Sequence, residues 1–426
     1  MKMRTSYFTK YSLTVLFLSA GLLSGYAQKA YRTQVFDSKI KTLQISGENF
    51  LSDPIIGSGE ESYVYLSFDE LSDDMTRFSY RIIHCNADWK QSALVPIEYL
   101  HGFQDIPISD YEFSGQTTVN YCNYHLMLPN EETDFKVSGN YAVEIFRDNN
   151  PSTPVITACF SVVEPMVKIA MEVTSRTLID NNKEHHQIGF AINHPGLSIS
   201  FPQNELKLYI FQNNRRDNAI IATQPHLISN NRLEYNFDRN LIFKAGNEFR
   251  RFEFLSIYNP GMNIERLSFH EPYHHVALYP DRIKTNLSYQ YDEDQNGRFI
   301  TNTIDGSDPA VDAHYQIVHF VLPTENVFLD GNLYLYSEIF QYNLNEQSKI
   351  SYNFDLKAYV KSELLKQGAY NYQYLFVPNG SSKGETFRVE GDRFETENEY
   401  RLMVYYRPMG AKYDRLIGTE KVYSNR

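Results

Sequence analysis

Short runs of alternating apolar and polar residues recur along the chain, separated by clusters of Asn, Asp, Gly and Pro. An alternation with a period of two gives a β-strand one apolar face, and no long amphipathic helical pattern interrupts these runs. Aromatic residues suit pleated, half-buried surfaces, and the chain has 33 Tyr and 28 Phe. The sequence therefore predicts an all-β protein.

The chain is long for a single hydrophobic core, which rarely organises more than about 250–300 residues. We predict tandem immunoglobulin-like β-sandwich domains in an elongated multidomain arrangement. The predicted domains span residues 28–164, 165–313 and 314–426, and the middle one ends in a hairpin around Asp292–Gly297.

In the first domain, Glu61–Phe68 and Phe78–Cys85 alternate and are predicted to form a hairpin. A second hairpin is predicted from Asn140–Phe146 and Val155–Val163, with a long aromatic loop following Trp89. Further strands are predicted at Met166–Thr174, Ile188–Ile192, Leu206–Gln212, Leu233–Phe237, Arg251–Tyr258, His275–Tyr279, Tyr315–Leu322, Leu333–Ser337, Ile350–Phe354, Tyr370–Phe376 and, as the last core strand, Tyr400–Tyr406.

The N-terminal residues 1–27 have the pattern of a cleaved signal peptide. Positive charges at Lys2, Arg4 and Lys10 precede an apolar run from Leu13 to Leu23, and Gly25-Tyr26-Ala27 supplies small residues for cleavage. We therefore expect an exported protein with no lipid anchor.

Cleavage removes three positive charges and no negative ones, so the formal charge falls from −12 to −15. Nucleic acids and anionic membrane surfaces attract basic faces, so this balance argues against either as a partner. No later apolar stretch is long enough to cross a bilayer as a helix. We expect no direct membrane insertion by a helix.

Cysteine and histidine residues offer a candidate zinc set in His84, Cys85, Cys122 and His125. Adjacent strand residues point to opposite faces, however, so His84 and Cys85 could not share one ion without a bulge. A Cys85–Cys122 disulfide is compatible with export, and the favoured alternative is three buried free thiols, including Cys159.

Asp292–Gly297 matches the opening of a calcium loop, but the twelfth position is Thr303 instead of a bidentate Glu. Asn296-Gly297 is also a strong turn signal, and we favour the turn. The pairs His185-His186 and His274-His275 are interpreted as surface loops. The sequence lacks nucleophile-elbow, zinc-protease and phosphate-loop motifs, so we predict no enzyme, no cofactor and no metal.

Several unusual strings follow one another along the mature chain. The first part contains Tyr80, His84-Cys85-Asn86-Ala87-Asp88-Trp89, Tyr99-Leu100-His101-Gly102-Phe103, Asp110-Tyr111, Tyr121–Tyr124, Leu128-Pro129-Asn130 and Ser138–Tyr141. The later part contains Gln212-Asn213, Asp217–Ile220, Gly246–Arg250, Asn296-Gly297, Leu365–Gly368 and Tyr370-Asn371-Tyr372. Together these strings resemble the type IX secretion system plug protein family of Bacteroidota, formerly a domain of unknown function, and the resemblance covers nearly the whole mature chain.

The resemblance implies a periplasmic protein that binds the very large outer-membrane barrel of the type IX translocon. Such a plug closes the periplasmic mouth of the barrel in the resting state, by steric and reversible binding. Aromatic and Arg residues dominate interface energetics, so residues of these types are the candidate contacts. They are Trp89, Tyr99, Phe103, Tyr111, Arg215, Arg216, Arg250 and Arg251.

Two other functional classes compete with the plug. Residues 314–426 resemble immunoglobulin-like modules that bind glycogen and related glucans, which makes a secreted glycan-binding protein the alternative. Those modules stack exposed Trp on sugar rings, and this segment contains no Trp. An outer-membrane β-barrel would need strands of about 9–11 residues, and most runs here are shorter.

Overall fold

The computed structural model describes residues 30–59 and 62–424, in which regular structure is almost entirely β-strand. The all-β, multidomain prediction is confirmed, because antiparallel sheets enclose three large hydrophobic cores. The predicted signal peptide lies outside the described residues. Within those residues, no helix is long and apolar enough to span a membrane.

The first unit is a sandwich of two sheets around one core. Its elements are β1 (Gln34–Val35), β2 (Ile40–Ser46), β3 (Ile55–Gly57), β4 (Val64–Glu70), β5 (Phe78–Cys85), α1 (Pro96–Tyr99), β6 (Leu100–Gly102), β7 (Ile106–Pro107), β8 (Asp110–Phe113), β9 (Cys122–Leu128), β10 (Thr133–Phe135), β11 (Gly139–Arg147) and β12 (Pro154–Val163). One sheet has the order β1-β12-β11-β5-β7 with β3 beside β12, and the other has the order β2-β4-β9-β8.

The hairpin predicted from Glu61–Phe68 and Phe78–Cys85 is wrong, although both strands exist. β4 pairs with β2 and β9, whereas β5 pairs with β11 and β7 in the opposite sheet. The hairpin of β11 and β12 is confirmed. The long loop after Trp89 is also more ordered than expected, because it contains β6 to β9 and completes both sheets.

The second unit encloses its core between a five-stranded and a four-stranded sheet. Its elements are β13 (Lys168–Thr174), β14 (His185–Asn193), α2 (Pro202–Glu205), β15 (Leu206–Gln212), β16 (Ile220–Ala222), β17 (Leu227–Ser229), β18 (Arg232–Tyr235), a 3-10 turn (Arg239–Leu241) and β19 (Ile242–Lys244). The sheet order β13-β14-β18-β17, with β19 beside β14, faces a sheet that begins β16-β15.

The third unit is one nine-stranded sheet that carries a single core. Its elements are β20 (Arg250–Phe254), β21 (Ile264–His270), β22 (Tyr273–Leu278), β23 (Phe299–Thr301), α3 (Pro309–Asp312), β24 (Tyr315–Pro323), β25 (Gly331–Tyr336), a 3-10 turn (Glu338–Phe340), β26 (Lys349–Asn353), β27 (Ala358–Lys366) and β28 (Gly368–Pro378). The strand predicted at Tyr370–Phe376 is present within β28, and Tyr370, Tyr372, Tyr374 and Phe376 all enter the core.

The last two strands return to the second unit. These are β29 (Glu399–Tyr406) and β30 (Arg415–Tyr423), which complete the sheet β16-β15-β29-β30. The third unit is therefore inserted between β19 and β29. Strand pairing crosses the boundary predicted at 313/314, since β20, β22 and β23 pair with strands that follow it. Tyr400–Tyr406 is not the last core strand, because β30 follows.

Each unit contacts the other two, so the three do not form the row expected of an elongated array. Gln44 of the first unit donates to the Phe299 carbonyl of the third at 3.0 Å. Arg215 of the second unit donates to the Gly384 carbonyl at 2.8 Å, just beyond β28. Asp414, between β29 and β30, accepts from the Ala87 amide at 3.0 Å.

A buried ion pair fixes the first unit against the third. Lys366 at the end of β27 lies 2.8 Å from Asp69 of β4, and both side chains are almost fully buried. Asp69 also accepts from the Tyr315 hydroxyl at 2.6 Å, and the Lys366 ammonium lies 4.1 Å from the centre of the Tyr121 ring. Burial lowers the pKa of Lys366, and attraction to Asp69 opposes that shift.

We predict that Lys366→Met destabilises the protein by about 3–5 kcal/mol, because it leaves Asp69 as a buried charge without its cation. The double variant Asp69→Asn/Lys366→Met should recover most of this loss. Lys412→Met is the matched control, since Lys412 forms an exposed pair with Glu98 and should cost no more than about 1 kcal/mol. Urea unfolding measures all three, and equal losses for Lys366→Met and Lys412→Met would contradict the account.

Candidate functional site

The three units meet around one buried carboxylate, Asp53, in the loop between β2 and β3. Asp53 accepts from Arg298 of the third unit at 2.8 Å and pairs with Arg401 on β29. Lys421 on β30 lies 3.5 Å away. Glu399 on β29 completes the group, at 3.3 Å from Arg298 and 3.4 Å from Lys421.

Attraction between opposite charges shifts the pKa values of Asp53 and Arg298 towards their ionised forms. Burial opposes ionisation of Asp53, but attraction to Arg401, Arg298 and Lys421 outweighs it and keeps the pKa of Asp53 well below its usual range. Burial likewise opposes the charge of Arg298, and Asp53 and Glu399 raise its pKa above the ordinary value. We refer to Asp53, Arg298, Glu399, Arg401 and Lys421 as the ionic junction.

A cavity of about 590 Å³ lies beside the ionic junction. Residues of all three units line it, including Trp89, Arg216 and Glu338. Glu338 accepts a hydrogen bond from the Phe299 amide at 3.1 Å, and burial raises its pKa to about 7, opposed by Arg298. The cavity is therefore a space between units with a mixed polar and apolar lining, and it is bordered by a carboxyl group whose pKa is raised to about 7.

Two of the predicted contact residues meet at the mouth of this region. The Arg216 guanidinium lies 4.1 Å from the centre of the Trp89 ring and donates to the Tyr31 carbonyl at 3.1 Å. Trp89 is half-buried, has a φ of 62°, and its carbonyl accepts from the Tyr31 amide at 2.9 Å. This cation–π contact joins the first unit to the second.

The structure divides the remaining predicted contacts by exposure. Tyr99 is buried and donates to the Ile82 carbonyl, while Arg215 and Arg250 are buried in ion pairs with Asp217 and Glu390. Arg251 is partly buried and pairs with Asp292 at 2.6 Å. Phe103 and Tyr111 face solvent, with 84% and 37% of their surface exposed. These two and Arg216 are the exposed members of the predicted set.

The ionic junction and the exposed Phe113 were missed by the sequence reasoning. The members of the ionic junction are single residues in separate strands and loops, and no spacing in the sequence connects Asp53 with Arg298 or Arg401. Phe113 had a usable signal, because it lies two residues from Tyr111 and therefore shares a strand face with it.

The three cysteines are buried and unpaired. Cys122 belongs to the core of the first unit, whereas Cys85 and Cys159 belong to a separate cluster that also contains Trp89. His84 contacts Tyr141 instead, so His84 and Cys85 do point to opposite faces. Burial lowers the pKa of His84 to about 4.

The predicted turn at Asn296-Gly297 is present, with φ values of 54° and 85°. The residues around it do not form a hairpin, because β23 pairs with β28. The Asp294 carboxylate accepts hydrogen bonds from the amides of Asn296 and Phe249, so it stabilises the backbone of the turn.

The histidine pairs lie on strands instead of surface loops, because His185 and His186 open β14 and His274 and His275 belong to β22. His186 is buried beside Tyr400, and His275 lies 2.8 Å from His319. Across residues 30–59 and 62–424, no group of three or more His, Cys, Asp or Glu is arranged to hold a metal ion.

The fold and the ionic junction together define an all-β protein with three hydrophobic cores, whose units are joined by buried charged side chains. Residues 40–164 match the family described as type 9 secretion system plug protein, first domain. A crystal structure of a hypothetical protein from Parabacteroides merdae is 49% identical and has a TM-score of 0.91, covering 93% of this chain and 100% of that one. No curated protein matches the chain. The chain belongs to the type 9 secretion system plug protein family.

The raised pKa of Glu338 predicts a pH dependence of stability. In the unfolded chain this carboxyl titrates near its ordinary value of 4.5, and in the folded protein at about 7. The folded state therefore binds the proton more tightly, so the stabilisation is complete below pH 4.5 and is lost as the pH rises through 7.

We predict that Glu338→Gln, which is uncharged at every pH, is more stable than the wild type at pH 8 and similar at pH 4.5. The gain should be at most about 3 kcal/mol, since each pKa unit corresponds to about 1.4 kcal/mol. Urea unfolding across this range measures it, with the exposed Glu346→Gln as control. A wild-type advantage at pH 8 would contradict the assignment.

Proposed function

We propose that this protein is the periplasmic plug of the type 9 secretion translocon and closes the periplasmic mouth of its large outer-membrane barrel at rest. The family match over the first unit is the observation that carries the proposal. The mechanism is steric and reversible, and the protein acts without bond chemistry as a structural component of the secretion machinery.

The structure supports this role through rigidity. A steric plug must keep its shape against an opening, and flexible linkers between domains would let it deform. Here the ionic junction connects all three units, while Asp69–Lys366 fixes the first against the third. Breaking such buried pairs is costly, so the units are held in one relative orientation.

A plug also has to leave when secretion begins. Release within a useful time requires moderate affinity, because association rates vary little and dissociation sets the lifetime of a complex. The formal charge of −12 for the whole chain favours contacts that depend on complementary charge at a polar rim, which are weaker than those of a large apolar interface.

The tyrosine row of the third unit does not support the glycan-binding alternative. Sugar rings need an exposed aromatic platform, and the tyrosine row of β28 is turned into the core of the third unit. Tyr370, Tyr372 and Tyr374 therefore cannot stack on a ligand without unfolding that core.

We predict that a tagged copy expressed in its own cell envelope copurifies with a very large outer-membrane barrel after gentle detergent extraction. The interaction follows from the family role and should weaken at high salt, because rim charges are screened. A tagged acidic periplasmic protein of similar size is the control. Recovery of the tagged protein without any outer-membrane barrel would refute the proposal.

We also expect deletion of the gene to raise outer-membrane permeability to bulky antibiotics, because an unplugged barrel is an open pore. Growth inhibition by such an antibiotic measures the effect, and complementation with the wild-type chain should reverse it. Unchanged sensitivity in the deletion strain, with the translocon still present, would argue against a closing function.

A further inference from the structure

The short strand β8 lies at the edge of a sheet in the first unit. It pairs with β9 on one side and ends the sheet β2-β4-β9-β8 on the other. All four of its residues, Asp110–Phe113, are exposed to solvent. Natural proteins generally shorten, cover or charge such edges, because an open edge can pair with another chain.

Hydrogen-bond geometry shows which backbone groups of β8 are open. The Ser114 amide donates to the Tyr121 carbonyl at 2.8 Å, which continues the register of β8 with β9. In a strand, successive residues direct their amide and carbonyl groups to opposite sides. The backbone amide and carbonyl groups of Asp110 and Glu112 therefore point towards β9, as those of Ser114 do. The backbone groups of Tyr111 and Phe113 point away from the sheet.

An aromatic row also ends at this edge. Phe68 on β4 stacks on its cross-strand neighbour Tyr124 on β9, with ring centres 5.1 Å apart. Tyr124 in turn faces Tyr111 at 5.9 Å. Phe68 and Tyr124 are fully buried, whereas Tyr111 is 37% and Phe113 48% exposed. The aromatic row thus continues from the core to β8, which has a neighbouring strand, β9, on one side.

The charges on β8 define what can pair with it. Asp110 and Glu112 project from the face opposite to Tyr111, since they alternate with it along the strand. A second copy of β8 would bring carboxylates against carboxylates, which is unfavourable for directly opposed cross-strand residues. A strand with basic residues at these positions and an apolar residue beside Tyr111 is complementary.

We infer that β8 is the docking edge for an extended segment of the type 9 translocon, which adds a fifth strand to the sheet β2-β4-β9-β8. The segment has an apolar residue flanked by Lys or Arg. Its backbone bonds to Tyr111 and Phe113, and its basic residues face Asp110 and Glu112. This inference rests on the proposed function and specifies the surface through which the plug is held.

Two variants separate the parts of this interaction. Phe113→Pro removes an outward amide and leaves the hydrogen bonds to β9 intact, because proline is tolerated at such an edge position. Asp110→Lys/Glu112→Lys reverses the charge and keeps the backbone. Glu265→Lys is the control, since Glu265 is exposed on β21, an edge strand of the third unit.

The test measures binding of each purified variant to detergent-solubilised translocon isolated from a strain that lacks the plug. The wild type and Glu265→Lys should bind alike, and the two β8 variants should bind at least about tenfold more weakly at unchanged melting temperature. If the wild type does not bind, the proposed function fails. If the wild type binds and the β8 variants bind equally well, the docking edge is overturned and the acids serve only to protect the strand.

A second measurement does not depend on the proline variant folding. A photo-crosslinking residue at position 112 should attach to an extended, basic segment of a translocon subunit, identified by mass spectrometry. The same residue at position 265 should not. Cross-linking from position 265 but not from position 112 would overturn the inference.

Discussion

The structure depends on a buried carboxylate whose cationic partners all come from outside its own unit. Asp53 belongs to the first unit, and its cationic partners come from the other two, Arg298 from the third and Arg401 and Lys421 from the second. An uncompensated charge in this position would cost several kcal/mol, so separating any unit from the junction is unfavourable. The relative orientation of the three cores is thereby coupled to the satisfaction of one charge.

The inserted topology reinforces this coupling. The chain leaves the second unit after β19, builds the third, and returns as β29 and β30 to complete the second core. Glu399, Arg401 and Lys421 lie on these returning strands. The second sandwich is therefore completed by strands that also carry three of the five residues of the ionic junction. A steric plug benefits from such an arrangement, because its outline is set by buried contacts.

Local structure was readable from the sequence, and strand pairing was not. Alternation located β5 and β15 to the residue, since a buried strand face needs a period of two. The same pattern gave no information about partners, so β4 and β5 were expected to form a hairpin although they belong to opposite sheets. β30 escaped prediction, and with it the return of the chain to the second unit.

The predicted contact residues likewise divide into internal and exposed side chains. Aromatic and Arg residues mark interfaces, but they also form the internal contacts of this protein. Arg215 and Arg250 form ion pairs with carboxylates inside the protein, and the Arg216 guanidinium lies over the Trp89 ring. Only a burial map separates these from Phe103 and Tyr111. The segment that contains Trp89 is therefore partly internal structure and partly, at β8, a free edge.

The most direct test of the central claim is electrical. The translocon purified without its plug would be inserted in a planar lipid bilayer, and its conductance recorded while this protein is added to the periplasmic side. The account predicts that the large conductance closes on addition and returns after the protein is washed out. A conductance that remains unchanged at saturating protein would contradict the claim that this rigid three-core body closes the barrel.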